Sequence, residues 1–169
     1  MSDFQQLIFN KKKHHFNDIS IIPKSKGIYA AWILNNKKYD LIYIGKATNS
    51  RNGTLYNRIK KHYSGQRGSD QFCLYLFDNL INIKNDCIDG TNLTPIYNKI
   101  TQNWSRKNIL FSYICLKEQD NEHTIEQNLI KTLNPILNSG PFEILCQLGK
   151  IKNTKGHEYE NRDRCRAIC

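Results

Sequence analysis

Two short apolar runs open the pattern: Ala30-Ala31-Trp32-Ile33-Leu34 and Leu41-Ile42-Tyr43-Ile44-Gly45, separated by polar Asn35-Asn36-Lys37-Lys38. Two apolar runs around a short polar break predict a β-hairpin, with strands over 27–34 and 40–46. A hairpin centred near Asn36 or Lys37 sets Tyr29 opposite Tyr43, to within one residue. Cross-strand partners lie close enough to act together. Residues 53–63 have a helical period. Leu55, Tyr56, Ile59 and Tyr63 share one side, Arg58 and His62 lie together on its flank, and Asn57, Lys60 and Lys61 point away. Ser64-Gly65-Gln66-Arg67-Gly68 is a basic loop, and Ser69 is placed to cap the next segment. Residues 70–83 are apolar with no turn signal and long for one strand, so they read as a helix. A further helix is predicted over 93–104, with Pro95 in its first turn. Residues 108–116 read as a buried strand, and 122–133 as a helix stopped by Pro135.

The ends differ from the middle. Residues 1–25 form a basic N-terminal extension in which Phe4, Leu7, Ile8 and Phe9 make a short amphipathic turn that packs on the domain. His14-His15 reads as solvated. Residues 140–169 are a polar C-terminal extension with a flexible tail. The centre, 26–139, is then one domain. A small antiparallel or mixed sheet with helices packed around it is of the α/β class, α+β type.

Charge changes the picture more than length does. Lys and Arg number 25 against 15 acids, a net charge of +10 with a pI near 9.3. That balance favours a polyanionic partner, nucleic acid before an anionic membrane. No run of about 18 apolar residues is present to span a bilayer. The first residues lack the apolar core of a secretory signal. Six scattered cysteines without a C-x-x-C argue against structural zinc and fit a reducing, cytoplasmic location.

Glu126 is the sharpest chemical candidate. The apolar stripe of its helix is Ile125, Leu129, Ile130 and Leu133, and Glu126 falls inside it. A carboxylate facing a core needs a cation or several donors, because an unpaired buried charge is costly. A magnesium ion meets that need with few protein oxygens and several waters. An ion pair to a nearby Arg or Lys meets it too. Glu122, one turn earlier on the same face, is the second candidate ligand, or it complements the helix N-terminus. Arg58 and His62 are i,i+4 neighbours. Arginine presents rigid donors suited to phosphate, and His62 can donate to a non-bridging oxygen or pass a proton. Tyr29 and Tyr43 are either core or site. A phenol is a poor base at neutral pH unless cations stabilise its phenolate, which Lys46, Arg58 and His62 are available to do. Lys46 reads equally as a solvated strand-end lysine, and Asn138 as a turn residue. Gly27 and Gly45 fit places of close backbone approach. Lys11, Lys12, Lys13, Lys60, Lys61 and Arg67 form a candidate DNA-binding surface, giving affinity without sequence reading.

These residues fall into motifs. Gly27-Ile28-Tyr29, Tyr43-Ile44-Gly45, Leu55-x-x-Arg58-x-x-x-His62, and the run from Glu126 through Leu129-Ile130-Lys131, Leu133 and Pro135 to Asn138 occur in that order. In these four elements, over residues 26–139, the chain resembles the GIY-YIG nuclease family. The last run is similar to that of nucleotide-excision-repair nucleases. The Tyr43-to-Arg58 spacing is longer than usual, and the insert 48–53 is expected to loop out. The resemblance implies a mainly antiparallel three-stranded sheet flanked by helices. It also implies Tyr29 as general base, Tyr43 as a positioning group, Glu126 as the metal ligand and Asn138 in support. The expected function is a Mg²⁺-dependent endonuclease (Mn²⁺ substituting) that hydrolyses DNA, stand-alone and of restriction or repair type. The alternative is a non-catalytic nucleic-acid-binding module on the same scaffold. Cutting both strands would call for a homodimer or sequential nicking.

Overall fold

The computed structural model describes residues 3–81 and 94–138. The last two residues of the run predicted over 70–83, and the C-terminal extension 140–169, lie outside the described residues. The sheet has three strands: β1 (Gly27–Asn35), β2 (Lys38–Ala47) and β3 (Ile109–Cys115), in the order β2-β1-β3. Both pairings are antiparallel. The helices are α1 (Asp3–Asn10), α2 (Leu55–His62), α3 (Gln71–Leu76, running on as a π-helical turn through Ile81), α4 (Thr94–Asn108) and α5 (Glu122–Leu133). The α+β class and the antiparallel three-stranded sheet are as expected.

Asn36 and Lys37 both have positive φ, 47° and 65°. Those are the angles of a two-residue hairpin turn, whose twist matches the flanking strands. From that turn the rungs run in step as far as Trp32↔Leu41. There the register shifts, and the next rung is Ala31↔Tyr43. Ile42 is the extra residue, a β-bulge. Tyr29 therefore pairs with Gly45 and not with Tyr43, one position outside the expected margin. A one-residue slip exchanges the two faces of a strand. Without Ile42 bulging, Tyr43 would stand opposite Ala30 and point away from Tyr29. The bulge is what brings both tyrosines to one face, where their ring centroids lie 6.2 Å apart.

That face carries the larger core. Tyr29, Ala31 and Ile42 pack there with Leu55, Ile59, Tyr63, Phe72 and Phe111. On the other face Ile28, Ala30, Trp32 and Ile44 pack against Ile8 of α1 and Leu129 of α5. The N-terminal segment is thus part of the packing: Ile8 is fully buried. His14 exchanges backbone hydrogen bonds with Phe111 and extends the free edge of β3. It is buried and stacked on Tyr113, so its reading as a solvated residue is corrected.

Local capping sets the helix ends. The Thr54 hydroxyl accepts from Asn57 N–H to start α2, and Asn121 accepts from Thr124 N–H to start α5. Asn134 ends α5 in the left-handed conformation, one residue before Pro135. The cap of α3 is Asp70, accepting from Phe72 N–H, and not Ser69 as expected. The insert 48–53 closes on itself through Thr48 N–H to Gly53 O and Gly53 N–H to Ser50 O.

Candidate active site

Tyr29 sits at the centre of the site and has no exposed surface. Its ring lies directly over Gly45 on the neighbouring strand. A Cβ there would fall 2.4 Å from the Tyr29 Cζ and hydroxyl, so only glycine fits. Gly27 is held as tightly: a Cβ would meet Ile114 O at 2.3 Å and a Leu55 methyl at 2.7 Å. The two motif glycines are thus the clearance for the tyrosine and for α2.

From α2, one turn apart, Arg58 and His62 reach the same hydroxyl. Tyr29 Oη lies 2.7 Å from His62 Nε2, and the Arg58 guanidinium stands beside it. His62 Nδ1 lies 2.6 Å from Asp70 Oδ2. Both partners are buried, with side chains 1% and 5% exposed. A hydrogen-bonded line therefore runs Asp70–His62–Tyr29. Burial holds the His62 pKa below its usual value, more than the Asp70 carboxylate raises it. Burial also pushes Asp70 up, but the His62 and Phe72 hydrogen bonds outweigh it and keep the carboxyl below its usual range. The resting arrangement is then ionised Asp70, neutral His62 protonated on Nδ1, and a phenol donating to Nε2.

The expected cation-stabilised phenolate is corrected here. Burial, then the neighbouring Tyr43, raises the Tyr29 pKa well above 10.0, and Arg58 only partly opposes this. Tyr43 is also pushed up, to about 12, by burial. Lys46 is not part of the surround. It pairs with Ile28, on the opposite face from Tyr29, and its ammonium lies 2.8 Å from His123 Nδ1 and 3.6 Å from Glu126 Oε2.

Glu126 does face inward, with a side chain 13% exposed. Its Oε2 is also 3.8 Å from His123 Nδ1. Tyr43, on the edge strand, joins the halves of the site: it feels Arg58 and Tyr29 on one side and the Glu126 charge on the other. Asn138 locks that edge. Its side chain accepts from Ile44 N–H at 2.6 Å and donates to Ile44 O at 2.7 Å, filling both backbone positions a further strand would use.

Among the described residues no three His, Cys, Asp or Glu side chains cluster as a metal site. Magnesium does not require such a cluster, since one or two carboxylates and substrate phosphate oxygens suffice. Glu126 fits that role: its ion pairs are longer than hydrogen bonds and leave it able to take a cation.

The basic residues divide. Lys60 and Lys61 line a groove of about 440 Å³ on the outer side of α2, with Gln66, Gln102 and Arg106. Lys11 and Lys12 are exposed. Lys13 and Arg67 are engaged elsewhere. The Lys13 ammonium sits 4.6 Å from the Trp32 ring centroid and donates to Phe9 O. Arg67 pairs with Asp78 at 3.2 Å and stacks on Phe77. Sequence reasoning missed Asp70, His123 and Arg106. Asp70 had one available signal, a cap residue eight positions after His62.

Two tyrosines thus share one sheet face, with an Arg–His pair from α2 against them and an inward glutamate on the far side of the edge strand. The family model of the GIY-YIG catalytic domain matches residues 7–154, and the chain belongs to that family. Its activity class is that of a nuclease. No curated protein matches the chain, and no solved structure does. Among the described residues no helix is long and apolar enough to cross a membrane.

Proposed function

We propose that this chain is a Mg²⁺-dependent endonuclease that hydrolyses DNA phosphodiester bonds, acting alone in restriction or repair. The observation that carries the reading is the Tyr29–His62 hydrogen bond with Arg58 beside it and Glu126 behind Tyr43. Glu126 would hold the ion, and Mn²⁺ would substitute. Bound there, the ion would offset charge on the scissile phosphate and the departing 3′ oxygen. The chain's own groups do the rest. Tyr29 passes its phenolic proton to His62 Nε2 and takes one from the attacking water. Arg58 supports the charge on the phosphate; its Nε is buried without a partner, a donor that a substrate oxygen would satisfy. Tyr29 is closed to solvent in the free protein, so the attacking water enters with the substrate.

Lys60, Lys61 and Arg106 supply the phosphate contacts that hold DNA. The free thiols Cys73 and Cys115 fit the cytoplasmic compartment we propose. Incubating plasmid and branched DNA with and without Mg²⁺, then sequencing the ends, tests the reading. Mg²⁺-dependent cuts are expected. The second reading, a non-catalytic nucleic-acid-binding module, draws on the enclosure of Tyr29 and the Lys46 ammonium beside Glu126. It predicts DNA binding with no cuts under either condition.

A further inference from the structure

We propose that Asp70 is a positioning residue for the cleavage reaction, fixing His62 so that its Nε2 accepts the Tyr29 proton. The proposal rests on the nuclease reading above. Its geometry is on both sides of one imidazole: Asp70 Oδ2 at 2.6 Å from Nδ1 and Tyr29 Oη at 2.7 Å from Nε2. An ionised carboxylate only accepts, so Nδ1 carries the hydrogen, and in the neutral imidazole Nε2 is then bare. The opposite tautomer would leave Asp70 Oδ2 facing a bare Nδ1, with only the Cys73 thiol at 3.8 Å to donate to it, and would turn Nε2–H onto the phenol oxygen, so that Nε2 could not accept the Tyr29 proton. Helix capping alone does not require this contact. Oδ1 of Asp70 already caps α3 through Phe72 N–H at 3.1 Å, and the second oxygen is aimed at His62.

Protons and electron pairs balance. The Tyr29 O–H bond breaks and its proton adds to Nε2, giving an imidazolium beside the Asp70 carboxylate. The phenolate takes a proton from the attacking water as its oxygen bonds to phosphorus. The P–O3′ bond breaks with its electron pair on the 3′ oxygen, and that oxygen is protonated from the medium. His62 then returns its proton to the medium, and Tyr29 is again a phenol. Asp70 keeps its charge throughout and stays unprotonated, which is the part an orienting carboxylate plays beside a proton-accepting histidine.

Other charged or titratable groups face this imidazole. Tyr29 and Tyr43 meet it from the sheet, Arg58 and Lys61 act on it from its own helix, and the Cys73 thiol of α3 donates to the His62 carbonyl. Asp70 is the carboxylate hydrogen-bonded to it.

The test uses the full chain with ¹⁵N-labelled histidine, His62 being assigned with His62→Gln. Asp70→Asn and Asp70→Ser both retain a capping acceptor, so a fold that survives in either keeps the test open. Imidazole ¹⁵N shifts should show Nδ1–H at His62 in the wild type and its loss in both variants. Cleavage should fall about 10²–10⁴-fold with DNA binding unchanged, and the acid limb of the pH–rate profile should move. A merely structural cap would leave tautomer and pH profile in place. An Nε2–H tautomer in the wild type, or full-rate cleavage by a folded Asp70 variant, overturns the role and leaves the nuclease reading standing. Wild-type protein with the Nδ1–H tautomer but no cleavage overturns the nuclease reading and this role with it.

Discussion

Gly45→Ala is the smallest change that reaches the centre of the site. The added methyl would lie 2.4 Å from both the Tyr29 Cζ and its hydroxyl. Ordinary contact begins near 3.4 Å, so the ring end must retreat by about 1 Å. Room for that is scarce, because the hydroxyl is already 2.7 Å from His62 and the ring is packed on Phe111 and Tyr43. Overfilling a packed core by one methyl costs about 1–3 kcal/mol. For a chain of this size each kcal/mol lowers Tm by about 2–4 °C, so a fall of about 2–12 °C is expected. A misplacement of about 1 Å at a reacting group costs about 10²-fold in rate. The decisive assay is a double-mutant cycle by thermal or denaturant unfolding. Tyr29→Leu removes the ring that the methyl would strike. In that background Gly45→Ala should cost little, leaving a coupling energy of about 1–3 kcal/mol. An equal cost in both backgrounds would refute the argument that Gly45 exists to clear Tyr29.

Glu126→Ala should abolish cleavage while DNA affinity holds, since it removes the proposed ion's anchor and none of the basic surface; near-normal turnover in Mg²⁺ shifts the role to Glu122. DNA binding should fall steeply with salt. With Arg58, Lys60, Lys61 and Arg106 on phosphates, log K against log[salt] should have a slope of about −3.6. Lys13→Ala and Arg67→Ala should leave it unchanged, and a slope near zero defeats the phosphate footprint. Stability should decline in acid. The folded His62 binds a proton less readily than the unfolded chain, so stability drops as pH falls below about 6.5. Asp70, held low, adds to the loss only below about 3.8. Tm measured from pH 8 to 5 should fall, and less so in His62→Gln; the remainder belongs to His14, which burial also lowers.

What was legible in the sequence was local. The hairpin turn, the helices α2 and α5 and the buried run of β3 each depend on residues within a few positions of one another. So does the pairing of Arg58 with His62, one helical turn apart. The inward aim of Glu126 could be read for the same reason, because the stripe that encloses it lies on its own helix. The N-terminal segment could be read as an amphipathic turn packed on the domain, but the surface it meets could not. Ile8 is buried only because α1 docks on β1 and β3, a contact across more than a hundred residues of chain in the case of Ser112, whose hydroxyl donates to Ile8 O.

The bulge at Ile42 shows why the rest was hidden. A bulge in a run of Leu, Ile and Tyr has no glycine or proline to mark it, yet it decides which face every later residue of β2 presents. Tyr43 and Gly45 then join Tyr29 on one side, and Lys46 goes to the other, onto α5 with Glu126. The line Asp70–His62–Tyr29 therefore lies over one face of the sheet and the Glu126 carboxylate beside the other. The proposed reaction requires both to meet one phosphate, and so requires the strand between them to be an edge, as β2 is. That edge cannot take another strand, since Leu137 N–H donates to Ile42 O and Asn138 occupies Ile44. The asparagine that reads as a turn residue therefore has a physical task. It satisfies the backbone of the strand that carries Tyr43 and closes that edge to further pairing.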